Sequence, residues 1–431
     1  MKIYKAFKYR LKPNDEQATL LKQCGGNARF LWNYFWNLQL DYYNEHKKYL
    51  SANDLNYFLP LLKKAFGFQF LNNSFSQSLC QISDDLKKAI SRAFDDDIKA
   101  KRKKAIAKAM AETDETKKKK KLAKAYKYGF PKFKKKHNFE DSFRISTRFK
   151  IAKSRIYVPQ VGWIDYIKHR NFEGKPKYIT VTQDGTEWYV SICCELEIED
   201  KEIKTDNVVG MDLGLNVFAS LSDKTEIANP RFYRKEENKV KREDRKLSRK
   251  EKDSNRKTRQ QNTCRKVHKR ISNKRTNFIH QTTHDMITKY DGFVLEDLAV
   301  DNMMKNHNRA KSIQDAAWSE FSRVLEYKCL WNFKYFEKID RFAPSSQLCS
   351  NCGYRQKMPP EIRTYDCPQC GLVIDRDLNA SYNILAFSVL NETRDMGVAP
   401  ISNTSGREGI YGQGESALAG SMNCQKEQLL A

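Results

Sequence analysis

Long apolar runs are missing from this chain. No stretch approaches the roughly 18 residues of a membrane-spanning helix, which excludes helical spans from the expectation. The opening MKIYKAFKYRLKP has no apolar segment of the kind a secretory leader needs, so a soluble, cytoplasmic protein is expected. Acids are also short: 53 Asp and Glu stand against 79 Lys and Arg over 431 residues, a net charge of +26. That imbalance points to a polyanionic partner, with nucleic acid ahead of a membrane surface. Hydrophobic residues still make up 40% and aromatics 12%, so a disordered basic chain is excluded and globular cores are expected. The length suits about two to four domains.

An even cysteine set is lacking as well. Of eleven cysteines, seven are scattered (Cys24, Cys80, Cys193, Cys194, Cys264, Cys329, Cys424) and read as ordinary reduced thiols. His280 and His284 stand four apart, but no acid is placed as in the HExxH metal motif, and a solvated helix face explains them.

Textures along the chain mark its organisation. KIYKAFKYRL alternates as a strand does, and Pro13 opens a helical region that Gly25-Gly26 is expected to break in two. Helical spacing continues to about Lys124, with Lys117 to Lys121 as a solvated face. From Tyr128 to about Asp200 the chain is strand-rich, with a hairpin turn at Asp184-Gly185. Aromatics and basic residues interleave there, as on a surface that binds nucleic acid and equally in a plain antiparallel domain. NVVGMDLGLNVFASLSD reads as another hairpin. Arg231 to Arg275 then carries 20 basic against 6 acidic residues and reads as a long polar helix or helical pair. A separate helix, FIHQTTHDMITKY, the short strand GFVLEDLAV and a helix from about Ile313 to Phe336 follow. The Gly-, Ser- and Asn-rich residues 391–431 read as a disordered tail.

Four cysteines cluster. Cys349 and Cys352 form one Cys-x-x-Cys pair, Cys367 and Cys370 another, with fourteen residues between. The gap is just short of the usual ~15–20 residues, but each pair is followed by a glycine that suits a tight knuckle. Four thiolates complete a closed tetrahedral site, so a structural zinc ion is expected.

Three acids end apolar elements in the same region. Asp212 ends VVGMD, Glu296 ends FVLE, and Asp377 opens the amphipathic helix LNASYNILAF. A carboxylate against a buried strand is costly unless a cation or donor offsets its lost hydration. Three of them converging suit shared divalent ions, with Mg²⁺ matching carboxylate and phosphate oxygens, and two ions suit phosphodiester hydrolysis. Alternatives stay open at this point: Asp212 as a turn residue, Asp297 in place of Glu296, and Asp375 or Asp377 as a helix N-cap.

GMDLGLN, then VLEDL, then a Cys-x-x-Cys ribbon running into IDRDLNASYNIL resembles the split RuvC-type nuclease of the TnpB family. These are transposon-encoded RNA-guided DNA endonucleases, formerly OrfB-type transposases, related to compact type V CRISPR effectors. YKAFKYRLKPNDEQATLL, GGNARFLWNYFWN and GFPKFKKKHNFEDSFRI extend the resemblance over residues 1 to about 390. It implies a multidomain α+β chain: an oligonucleotide-binding-like β-barrel wedge (1–10 and 127–205) and a helical recognition domain (11–126). An RNase H-like nuclease domain (206–343 and 372–390) would hold an inserted zinc ribbon (344–371). It assigns Asp212, Glu296 and Asp377 as catalytic, Mg²⁺-binding acids, with Asp375 in reserve. Guide RNA and double-stranded target DNA are the implied partners, with one RNA per monomer and a nucleoid-associated location in a prokaryotic cytoplasm. Base pairing would read the target and the protein a short flanking motif. The basic block at 231–275 would contact phosphates. A non-cleaving RNA-guided repressor or basic zinc-ribbon binder would share the charge and ribbon without needing the acids. A strand-joining transposase would act without RNA.

Overall fold

The structure is a computed structural model and describes residues 1–136, 141–359 and 361–388. Two compact units form, one from residues 2–198 and one from 199 onward. Among the described residues no helix is long and apolar enough to cross a membrane. The tail expected at 391–431 lies outside the described residues.

In the first unit, β1 (Lys2–Lys12) is the alternating strand, burying Ile3, Phe7, Tyr9 and Leu11. Asn14 then caps α1 (Asp15–His46) in a reciprocal box with Gln17. The break expected at Gly25-Gly26 does not occur, and α1 runs through both. A helical glycine costs about 1 kcal/mol against alanine, which the long buried face of α1 offsets. Gly25 serves close approach instead: a Cβ there would lie 2.8 Å from that of Asp141, whose carboxylate pairs with Arg29.

Helices α2 (Ala52–Lys64), α3 (Ser76–Ala93), α4 (Asp96–Met110) and α5 (Glu115–Tyr126) follow. Lys117 and Lys119 to Lys121 are exposed on α5, as expected of a solvated face. The strands β2 (Ser142–Ile145), β3 (Lys150–Ile151), β4 (Arg155–Val158), β5 (Gly162–Ile167), β6 (Lys175–Asp184) and β7 (Glu187–Glu197) complete the unit. With β1 they make one antiparallel sheet ordered β2-β6-β7-β1-β5-β4-β3. Its edge strands do not pair with each other, so the expected barrel is realised as an open half-barrel sheet. Helical side chains fill the space that closing strands would occupy: Leu21, Leu31, Phe35 and Leu86 share one core with Ile156, Ile179 and Val190.

The second unit is built on β8 (Val208–Leu213), β9 (Val217–Leu221), β10 (Glu226–Ala228), β11 (Gly292–Glu296) and β12 (Tyr335–Ile339). The order is β10-β9-β8-β11-β12, antiparallel among the first three and parallel from β8 to β12. Numbered within the unit this is 3-2-1-4-5, an RNase H-like sheet. Helices α6 (Phe232–Ser248), α7 (Asn255–Lys289), α8 (Val300–Met303), α9 (His307–Ala316) and α10 (Trp318–Trp331) join its strands, and α11 (Arg376–Ala386) closes the unit.

Both faces of the central strands are covered. Phe293 and Leu295 pack with Ile279, Phe321 and Leu325, while Val294 packs with Ile384 of α11. Helix α11 lies so close to β8 that a Cβ on Gly210 would meet the Ser381 carbonyl oxygen at 2.2 Å.

The helical pair expected at 231–275 is present as α6 and α7, but α7 continues to Lys289 and absorbs the separate helix expected there. The helix expected to reach Phe336 stops at Trp331, and Tyr335 and Phe336 belong to β12. Both aromatics are buried on opposite faces of the sheet, so the segment shows no polar alternation that would mark a strand.

Candidate active site

The four clustered cysteines meet as expected. Their sulfurs all lie within 4.8 Å of one another, with Cys349 and Cys370 3.6 Å apart and Cys352 and Cys367 3.5 Å apart. A tetrahedral zinc with bonds of about 2.3 Å needs sulfurs about 3.8 Å apart, so the donor set fits that ion. Two matching knuckles build it. The Gly353 N–H donates to the Cys349 carbonyl and the Gly371 N–H to the Cys367 carbonyl, both at 2.9 Å. Gly353 and Gly371 have φ of 74° and 73°, a left-handed turn that favours glycine. A side-chain hydrogen bond from Asn351 and a backbone hydrogen bond at Leu372 pull the Cys370 thiol down to about 6, while, against a backbone hydrogen bond at Tyr354, desolvation and the neighbouring sulfurs push Cys352 up to about 12. The second knuckle lies between β13 (Thr364–Asp366) and β14 (Val373–Asp375). Buried Tyr365 donates to the Tyr354 carbonyl at 2.8 Å and ties the knuckles together.

The three acids gather at the carboxyl ends of the central strands. Leu295 pairs with Met211, so Glu296 and Asp212 follow one another across adjacent parallel strands. Asp377 reaches the loop after β8, where a Cβ on Gly214 would lie 3.8 Å from its Oδ2. Burial, then the negative charges of Glu296 and Asp377, push the Asp212 carboxyl up to about 8. Burial also raises Glu296, against a hydrogen bond from Ser345. Like charges crowded in a desolvated site call for a cation, and an all-oxygen donor set suits Mg²⁺. Among the described residues the four cysteines are the one group of metal-ligating side chains lying that close together, and the three acids do not form such a group.

The alternatives left open by sequence have different surroundings. Asp375 is the N-cap of α11 and accepts from the Asp377 and Leu378 N–H groups at 2.9 and 3.0 Å. Asp377 instead faces Arg363 and Arg376, each at 3.0 Å. Asp297 pairs with Arg341.

Sequence reasoning missed the residues that support the acids. Asn383 donates to the Ser345 and Leu348 carbonyls at 2.7 and 2.8 Å. Asn379 donates to the Leu348 carbonyl at 2.7 Å and accepts from the Ser350 N–H at 2.9 Å. Both asparagines are buried, and together they fasten α11 to the segment that enters the ribbon. Two amides four residues apart on α11, on the face that also buries Ala380 and Ile384, were the available signal.

The α6–α7 pair has a small core of Val240, Val267 and Ile271. Acids on α6 and on the neighbouring α9 act as clamps. Glu237 holds Lys311, Lys241 and Arg234, and these contacts bring its carboxyl down to about 2. Asp315 caps α6 at the Tyr233 N–H and pairs with Arg275 at 3.0 Å.

Comparison with known proteins covers most of the chain. Residues 191–307 match the OrfB/IS605 family model described as "Probable transposase". Residues 318–384 match a "Cas12f1-like, TNB domain" and residues 1–48 a family "Helix-turn-helix domain". A solved Cas12f1 complex aligns over 89% of this chain and 98% of its own at 12% identity, with a TM-score of 0.41. A Streptomyces pristinaespiralis protein named "Putative RNA-guided DNA endonuclease" is 30% identical over 97% of this chain and 98% of its own. Escherichia coli K12 InsQ, of the same description, is 31% identical over 90% of this chain and 92% of its own. Likeness at that level over nearly the whole of both chains places this protein in the TnpB family.

Proposed function

We propose that this chain is an RNA-guided, Mg²⁺-dependent DNA endonuclease with Asp212, Glu296 and Asp377 as its catalytic acids. The observation that carries the proposal is the placing of these carboxylates on an RNase H-like sheet, where burial and the charges of Glu296 and Asp377 raise the cost of ionising Asp212. The names of the full-length relatives support the same activity and its RNA and DNA partners.

Divalent ions bound by these acids would supply Lewis-acid stabilisation of the charge that builds on a phosphodiester under attack by water. The chain's own residues prepare that site. Glu296 is fixed at the end of β11 by the Ser345 hydroxyl. Asp377 is aimed by α11, which Asp375 caps and the two asparagines anchor. Arg363 and Arg376 pair with Asp377 and balance its charge. The zinc ribbon is a structural insert that returns the chain to the site at Asp377.

The first unit serves as wedge and recognition domains, with the sheet and helices holding RNA through its backbone. The outer lysines and arginines of α6 and α7 contact guide or heteroduplex phosphates. A short flanking duplex motif is read by the protein and the rest of the target by base pairing. The protein acts in the cytoplasm at the nucleoid, as one chain with one RNA, in the service of a transposon.

Expression with flanking RNA tests the guided part. The chain retains a defined RNA through purification, and raising salt releases it steeply as counterions replace phosphate contacts. A chain that retains no RNA contradicts guidance.

A further inference from the structure

Phe342 is a large apolar side chain left 87% exposed. Single exposed apolar residues are common and usually mean nothing. This one is set apart by the turn that carries it. The chain leaves β12 at Ile339, which faces Glu296 in the parallel register. Asp340 then accepts from the Phe342 N–H at 2.7 Å, and the Ala343 N–H donates to the Asp340 carbonyl at 3.1 Å. Arg341 pins one side by donating to the Asp297 carbonyl at 3.0 Å and pairing with its carboxylate. Buried Ser345 pins the other side through Glu296. A fixed turn therefore presents an aromatic face to solvent at the carboxyl edge of the sheet, beside one of the three acids. A cleft of about 330 Å³ opens there, lined by Asp297, Lys338, Ile339, Asp340, Arg341 and Phe342.

We propose that Phe342 is a stacking platform for a base of the DNA strand led into the acid site. The proposal deepens the nuclease reading and rests on it for the identity of the strand. The cleft carries both signs of charge, and its cations are already engaged, Lys338 with Glu326 and Arg341 with Asp297. A phosphate cradle would be uniformly basic. A mixed cleft around an exposed ring suits a flat, uncharged, polar-edged base. Stacking on one ring is tolerant of sequence, because every base has a π-face. Bases in a duplex already stack on each other, so the platform takes a single, unpaired strand.

The test uses the full chain with its RNA and short single-stranded DNA carrying 2-aminopurine at successive positions. An Asp212→Asn background keeps the strand intact. One position is expected to be quenched on binding, with quenching lost in Phe342→Ala and restored in Phe342→Trp. In the Asp212 chain, Phe342→Ala is expected to raise KM for a pre-melted target about tenfold, with Phe342→Trp returning it. The ring makes few contacts, so both variants keep the parent's Tm. Equal quenching in Phe342 and Phe342→Ala chains overturns the platform whether or not the protein cuts. Phe342-dependent quenching, together with an Asp212 chain that never cuts, overturns the nuclease reading and leaves the platform standing.

Discussion

Ser345 donates its hydroxyl hydrogen to the Glu296 carboxylate while its own carbonyl accepts from Asn383 at 2.7 Å. One buried residue thus joins α11 to β11, the elements that carry two of the three acids. Hydrogen bonds to charged groups contribute about 1.5–3 kcal/mol. Ser345→Ala is expected to reduce cleavage roughly tenfold or more by that measure, and to raise the Mg²⁺ concentration for half-maximal cutting. Ser345→Thr, which keeps the donor, restores much of the loss. Mg²⁺ titrations of cleavage on one defined target check both.

Asp375 and Asp377 separate by role. Asp375→Ala removes a helix cap and is expected to cost about 1 kcal/mol of stability, leaving cleavage at permissive temperature. Asp377→Asn is expected to abolish cleavage at permissive temperature and to lower Tm through loss of its ion pairs with Arg363 and Arg376. Thermal melts beside a cleavage assay decide the assignment, and the reverse pattern would give the third position to Asp375.

The ribbon is mechanically tied to the acids. The Ser350 N–H, between the first two cysteines, donates to Asn379 at 2.9 Å, and Arg363 of the ribbon faces Asp377. One zinc per chain is expected by elemental analysis. Cys349→Ser, at a buried ligand, is expected to lose zinc and to lower Tm. It is also expected to lower Mg²⁺ affinity measured by calorimetry, a readout independent of cutting. Unchanged Mg²⁺ affinity without zinc would disconnect the two sites.

The pH response of the metal-free chain has a definite sign. With its carboxyl pushed up to about 8, Asp212 keeps a proton in the folded chain that an unfolded Asp has released above about pH 3.9. The folded state then binds more protons, so this group's contribution to stability falls as pH rises from about 4 toward about 8. Asp212→Asn is expected to flatten that part of the profile in denaturant melts made in EDTA. Mg²⁺ must displace the same proton, so its apparent affinity rises over the same window.

Several features were legible in the sequence because their causes are local. The β1 alternation, the Asp184-Gly185 turn and the paired Cys-x-x-Cys knuckles each depend on neighbours within a few residues. Asp212 and Glu296 were legible as charges ending apolar strands. What failed depends on distant packing. Gly25-Gly26 reads as a break until Asp141 is known to lie against it. Tyr335 and Phe336 read as helix until the sheet is known to be covered on both faces. Ser345, Asn379 and Asn383 are ordinary polar residues whose value lies in partners 29 to 49 positions away.

The most direct measurement is cleavage of a plasmid library with randomised sequence beside the target, by the purified protein–RNA complex in Mg²⁺, comparing the native chain with Asp212→Asn. The expected result is cutting by the native complex only, restricted to plasmids sharing a short flank, and abolished by EDTA or by omitting the RNA. Equal products from both proteins, or RNA and target bound but never cut, would contradict a nuclease site at Asp212.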